Sequence, residues 1–220
     1  MTPTIIFDLD GTLVDSCGVC IEILETMLIE RQIDPAIDRD HARSFMSRGG
    51  AMMVSALLGD GARDQQQDLL EFRARYQEVV TPVSALYEGV AEGLEDLAAH
   101  GFTLAICSNK PQPLCEKALS DSGIAQYFPV VVGSRPGLAP KPAPDLLLQT
   151  LKSLGARSSQ CVYVGDSELD HQVAVEAKMP FYFLSYGYAE TGWMPQKSPV
   201  FDHFTLLASE LRRAHEILAA

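Results

Sequence analysis

Apolar and polar positions along this chain follow two regimes. Short apolar runs, rich in β-branched and aromatic residues, are separated by longer stretches with helical spacing. The first run is Ile5-Ile6-Phe7, and residues 103–107, 130–133, 161–165 and 181–184 follow. Each reads as a buried strand. Helical patterns lie between and after them: Val90, Leu94, Leu97 and Ala98; Leu146-Leu147-Leu148; Leu207, Leu211, Ala214 and Leu218. Such alternation predicts an α/β fold, a parallel sheet of five or more strands with right-handed crossovers.

Residues 17–84 break the alternation. Ile21, Leu24 and Leu28 recur at helical spacing, as do Leu69, Phe72, Tyr76 and Val79. Met52, Met53, Leu57 and Leu58 suggest another helix, stopped by Gly59 or Gly61. This predicts an all-helical domain, residues 17–84, inserted into a core of residues 1–16 and 85–220. The hinges are expected near Asp15-Ser16 and Thr81-Pro82.

Chemistry collects where the strands end, and in a parallel sheet those ends open onto the ligand crevice. The first strand delivers Asp8-Leu9-Asp10-Gly11-Thr12. Asp10-Gly11 also suits a hairpin turn, but Leu13-Val14 is too short for a returning strand. Two carboxylates here can divide labour, one attacking or binding a metal, the other moving a proton. The second strand ends in Ser108-Asn109-Lys110, a Pro-rich loop holds Lys141, and Gly165-Asp166-Ser167-Glu168-Leu169-Asp170 follows the 161–165 strand. Taken singly, these have bland readings: a solvated turn, a surface lysine, a helix N-cap. Together they suit a phosphate ester beside a divalent cation. Ser108 and backbone N–H groups would donate to phosphate oxygens, Lys141 would neutralise charge, and Asp8 with Asp166 would offer hard oxygen ligands to magnesium.

Charge narrows the partners. Seventeen basic against 29 acidic residues give a net charge of −12, which argues against nucleic acid and anionic membranes. An acidic protein that binds phosphate must make its site locally positive. No apolar run reaches membrane-spanning length. With the candidate nucleophile at position 8, no cleaved leader is expected before it. The five cysteines do not form a disulfide framework. Cys17 and Cys20 have a CxxC spacing but lack a second ligand pair, so they read as reduced, small apolar residues of a cytoplasmic protein. Oligomeric state is not legible.

DLDGTLVDS from Asp8, the Ser108-Asn109 strand end, Lys141-Pro142, and GDSELD from Gly165 occur in that order. In these motifs, spread over nearly the whole chain, it resembles the haloacid dehalogenase superfamily, in its phosphoglycolate phosphatase-like branch. The resemblance implies a Rossmann-like core with a helical cap, and a magnesium-dependent phosphatase acting on a small phosphate monoester. Asp8 would attack phosphorus to give an aspartyl phosphate. Asp10 would protonate the leaving alcohol and then deprotonate water. Magnesium would sit on Asp8, Asp166 and the Asp10 carbonyl, with Asp170 completing the site or ordering its outer shell. Ser108, Lys141 and the N–H groups of Gly11 and Asn109 would hold the phosphoryl oxygens. Thr12 would orient Asp8 or cap the turn. In the cap, Arg48 within Ser47-Arg48-Gly49-Gly50 is the candidate for the leaving group, with His41 and Arg43 behind it.

Asp10 separates this reading from a dehalogenase, whose halide leaves without a proton. A β-phosphoglucomutase-like transferase shares the core residues, and a non-catalytic, phosphate-sensing protein on the same fold is the rival of another class. Three positions depart from the family: Glu88 replaces a usual proline, Pro140 a frequent basic residue, and Lys178 a usual glycine. Lys178 is therefore expected to close its helix in the left-handed region.

Overall fold

The computed structural model describes residues 3–219, with side chains through residue 214. Among them run β1 (Thr4–Phe7), α1 (Cys17–Glu30), α2 (Arg39–Arg43), α3 (Gly50–Leu58), α4 (Gln65–Glu78), α5 (Val90–Ala99), β2 (Thr103–Pro111), α6 (Gln112–Asp121) and β3 (Val130–Ser134). Then come α7 (Asp145–Leu154), β4 (Cys161–Gly165), α8 (Glu168–Glu176), β5 (Phe181–Leu184), β6 (Val200–Phe201) and α9 (Phe204–Ala219). The side chain of Leu218, part of the last helical pattern, lies outside the described ones.

All strand pairs are parallel, in the order β3-β2-β1-β4-β5-β6. The chain builds outward from β1 to β3, then returns to the other side of β1 as β4. That reversal between β1 and β4 is the topological switch point, where an open α/β sheet leaves a crevice. Period-two alternation splits the strands between two cores. Ile5, Phe7, Leu104, Ile106 and Val164 pack under α5, α6 and α9. Ile6, Ala105, Cys107, Tyr163, Phe181 and Phe183 pack under α7 and α8. The two-residue β6 is the strand that the sequence pattern does not announce.

β2 runs four residues past its expected end, through Ser108, Asn109 and Lys110 to Pro111. Its pairing with β3 shifts register between Cys107 and Pro111. Gly133 makes room: a Cβ there would stand 2.7 Å from the Lys110 carbonyl oxygen and from Gln112 Cα. The Gln112 side chain ties the two strands, accepting from Gly133 N at 2.6 Å and donating to the Val131 carbonyl at 3.0 Å.

The segment from Cys17 to Glu78 is helical and carries a hydrophobic cluster of its own. Val19, Ile23, Leu24, Met27, Met53, Leu57, Phe72 and Tyr76 are buried in it, joined by Leu114 from α6 and by Tyr188. Cys17 and Cys20 belong to this cluster; all five cysteines are buried and free. Burial pushes the Cys20 thiol up to about 12, as expected of an inert apolar filler rather than a metal or redox site.

The two crossings lie side by side. Asp15 N donates to the Ala85 carbonyl at 2.7 Å and Tyr87 N to the Leu13 carbonyl at 3.1 Å. Asp15 is also a clasp. Its carboxylate accepts from Arg39 at 2.8 Å, Arg43 at 3.2 Å and the Tyr188 hydroxyl at 2.6 Å. Lys178 has φ 53°, the left-handed conformation expected of it, just past the end of α8.

Candidate active site

Asp8 follows β1 directly, and Gly11 turns the chain behind it at φ 86°. The turn leaves Asp8 and Asp10 on one cavity, which Ser108, Asn109, Lys110, Lys141 and Asp166 also line. Its volume is about 140 Å³. Thus the ends of β1, β2 and β4 and the loop before α7 converge, as four separate motifs of the sequence require.

Lys141 is the hub. Its Nζ donates to Asp170 Oδ1 at 2.6 Å and to the Tyr163 hydroxyl at 3.2 Å. It also stands 2.9 Å from Asp8 Oδ1, but off the angle of a hydrogen bond, so that buried oxygen keeps no hydrogen-bond partner. Burial alone would lower Lys141, yet Asp170 and Asp8 outweigh it and hold the ammonium charged. Asn109 braces the loop: its Oδ1 accepts from Lys141 N at 2.7 Å and its Nδ2 donates to the Lys141 carbonyl at 3.0 Å.

Three carboxylates crowd the same point. Oxygens of Asp8, Asp166 and Asp170 lie within 4.8 Å of one another. Burial raises the Asp8 carboxyl from 3.8 to about 6; Lys141 opposes this and the Asp170 charge adds to it. Burial, then repulsion from Asp170 and Asp8, raises Asp166 well above the ordinary range. Buried like charges at this spacing call for a cation. An Asp8 oxygen without a hydrogen bond, beside Asp166, is the hard donor set of a divalent ion, so the residues fit one. Asp170 is the most engaged of the three. Besides Lys141, it accepts from Ser167 N at 3.1 Å and Ser167 Oγ at 2.6 Å, closing a capping box at the start of α8.

Several expected residues sit elsewhere. Thr12 does not orient Asp8. It is fully buried, and its hydroxyl donates to Asp166 Oδ1 at 2.6 Å, so it faces the β4 side of the switch point and does not line the cavity. Arg48 does not line this cavity but the larger, more open one beside it, which shares Ser47, Arg73, Asn109 and Lys141 with it. The short turn Met46–Arg48 carries it outward, where it lies over the Phe45 ring and 3.4 Å from Glu190. His41 is exposed against Phe45, and Arg43 is spent on Asp15 and on the Tyr186 and Gly187 carbonyls.

Two groups of residues escape sequence reading. Lys110 is buried, with its Nζ 3.1 and 3.2 Å from the two oxygens of Asp10 and 4.1 Å from the centre of the Tyr76 ring on α4. Its burial would lower it, but Asp10 and then Tyr76 more than compensate. The other is Tyr186-Gly187-Tyr188, just past β5. Tyr188 N donates to Asp166 Oδ2 at 2.7 Å, and its hydroxyl donates to Asp15. Gly187 lies so close that a Cβ there would stand 2.2 Å from Asp166 Cβ. The available signal was position, since β5 also ends at the crevice.

The profile of the haloacid dehalogenase-like hydrolases matches residues 5–184. A phosphoglycolate phosphatase of Rhodobacter capsulatus is 34% identical over 197 residues, 87% of this chain and 88% of that protein. One of Colwellia psychrerythraea is 34% identical over 221 residues, 95% and 96% of the two. A predicted phosphoglycolate phosphatase from Haemophilus somnus superposes with a TM-score of 0.80 at 27% identity, covering 96% of this chain and 98% of that one.

Proposed function

The chain belongs to the haloacid dehalogenase-like hydrolases and is a phosphatase of their phosphoglycolate phosphatase-like branch, and on that premise we propose that it hydrolyses a small phosphate monoester, phosphoglycolate first, through an aspartyl phosphate on Asp8. One observation carries the reading: Asp8, Asp10, Ser108, Lys141 and Asp166 share a single small cavity.

In the first step an Asp8 oxygen forms a bond to phosphorus as the bond to the leaving oxygen breaks. Asp10 in its protonated form gives its proton to that oxygen, so the alcohol leaves neutral and Asp10 is left as the carboxylate that pairs with Lys110. In the second, Asp10 takes a proton from water as the water oxygen attacks phosphorus, and the Asp8–phosphorus bond breaks. Ser108, Lys141 and the Asn109 N–H hold the phosphoryl oxygens while charge moves among them; the Gly11 N–H, expected to join them, is instead donated to the Val14 carbonyl at 2.9 Å, which closes the turn. Lys110 keeps Asp10 on the side of α4. Asp8, Asp166 and the Asp10 carbonyl would hold magnesium, with Asp170 steadying the site through Lys141 and Ser167. When bound, the ion offsets the charge of nucleophile and phosphoryl group. The helical insert of residues 17–84 is the cap in this reading; it shuts water out during attack and opens for release.

Phosphate release from a panel of phosphorylated metabolites, with magnesium and with chelator, tests the proposal. Phosphoglycolate should be turned over in magnesium only, and Asp8→Asn should be inactive. A few per cent of turnover surviving in Asp8→Asn, with deamidation excluded by mass spectrometry, would remove Asp8 as the nucleophile.

A further inference from the structure

Three cations line the small cavity: Lys110, Lys141 and Arg73, of which Lys141 and Arg73 also border the larger, open cavity beside it. Two are neutralised within the protein. Lys141 meets Asp170 at 2.6 Å and Asp8 at 2.9 Å, and Lys110 meets Asp10 at 3.1 Å. Arg73 is half-buried and, among the described residues, has neither an ion pair nor a hydrogen bond. Of the other arginines of the same helical segment, Arg31, Arg39, Arg43, Arg48 and Arg75 each have a carboxylate partner, and Arg63, without a side-chain ion pair, is exposed to solvent. Arg73 has therefore given up part of its hydration without a protein partner in return, and burial is the one influence acting on its pKa, which it lowers. A guanidinium left in that condition at a cavity wall is a binding group without its ligand.

Its position says which part of a ligand it meets. Leu69, Phe72, Arg73 and Tyr76 are spaced as one face of α4, and all four line the cavity. Tyr76 is three residues, or roughly 4.5 Å of helix rise, beyond Arg73. Its ring carries Lys110, and Lys110 holds Asp10. The phosphoryl-side groups Asp8, Ser108 and Lys141 come from the sheet end instead. Arg73 thus faces the leaving-group side, across from the phosphate. The apolar wall of Leu69 and Phe72 strengthens any ion pair formed there. A planar fork of donors matches a carboxylate in two parallel bonds.

We propose that Arg73 is the specificity-determining residue, binding a carboxylate on the alcohol part of the substrate opposite the phosphoryl group. The assignment rests on the phosphatase reading above, and its test is built to separate the two.

Wild type, Arg73→Met and Arg73→Lys are compared on phosphoglycolate and on ethyl phosphate, the same ester with a methyl group in place of the carboxylate. In Arg73→Met the ratio of kcat/KM between the two should fall roughly ten- to hundredfold, mainly through KM for phosphoglycolate, the scale of a charged hydrogen-bonded pair. Arg73→Lys should recover part of that ratio. Arg73→Met should melt no lower than wild type, because it removes an unpaired charge. An ethylene glycol bisphosphate arm tells a carboxylate preference from a phosphate preference; a larger loss on the bisphosphate than on phosphoglycolate overturns the carboxylate. A ratio unchanged in Arg73→Met overturns the assignment altogether. Calorimetric binding of phosphoglycolate and of inorganic phosphate supplies a readout free of turnover. Were the wild type to release phosphate from no ester, the phosphatase reading would fail. Arg73 would then be judged by binding alone: selective loss of phosphoglycolate affinity in Arg73→Met supports it, and equal affinities refute it.

Discussion

Without a divalent cation, the site should store instability that grows with pH, and Asp8→Asn should release it. Burial raises the Asp8 carboxyl from 3.8 to about 6 against the pull of Lys141. The folded protein therefore holds the Asp8 proton more tightly than the unfolded chain does. The stability this confers is complete below about pH 4 and is lost as pH rises through about 6. At 1.36 kcal/mol per pH unit, ionising Asp8 in the folded state costs about 3 kcal/mol by pH 7. Asparagine does not titrate, so in Asp8→Asn this loss disappears. Asp166, which the Asp8 charge repels, is relieved in the same direction. Urea unfolding in chelator at pH 4, 5, 6 and 7 measures the effect. The stability of wild type relative to Asp8→Asn should fall by about 2 kcal/mol across that range. Magnesium at a hundred times its dissociation constant should restore about 2.7 kcal/mol to wild type at pH 7, and much less to the variant. Parallel pH profiles for the two proteins in chelator would refute the reasoning, as would a wild type indifferent to magnesium.

Three further outcomes follow from named contacts. Asp10→Asn should slow single-turnover phosphorylation far more with an alkyl phosphate than with p-nitrophenyl phosphate, whose leaving group needs little protonation; equal losses would remove Asp10 as the acid. Gly187→Ala should weaken magnesium affinity by tenfold or more, because its Cβ would stand 2.2 Å from Asp166 Cβ and 2.3 Å from Asp166 Oδ2, displacing a proposed ligand. Calorimetric titration with magnesium checks it, and an unchanged affinity would mean the Tyr186–Tyr188 segment does not set Asp166. Lys178→Gly should raise stability by up to about 1 kcal/mol, since φ 53° burdens a side chain and not glycine; a lower melting temperature would contradict the strain.

What the chain settles by itself is local. Ile5-Ile6-Phe7 alternates between two cores because neighbouring strand residues face opposite ways, and whatever follows such a run emerges at the crevice. Asp8, Asp10, Ser108 and Asp166 were legible for that reason, and Lys141 because it shares the ordered set of motifs. Lys178 was legible because a helix closure makes a local demand on φ. The rest depends on how elements distant in sequence meet. Thr12 and Asp166 are 154 positions apart, and only the packing of the first turn against the end of β4 gives the hydroxyl to Asp166 instead of Asp8. Tyr188 reaches both Asp166 and Asp15 because the loop after β5 passes between the sheet and the helical segment. Arg48 and Arg73 look alike in sequence. Helix spacing says which residues share a face with Arg73, but not which face the cavity takes. The packing of α4 over Lys110 and Asp10 puts Arg73 on the small cavity, and Glu190 with Phe45 holds Arg48 on the larger one beside it.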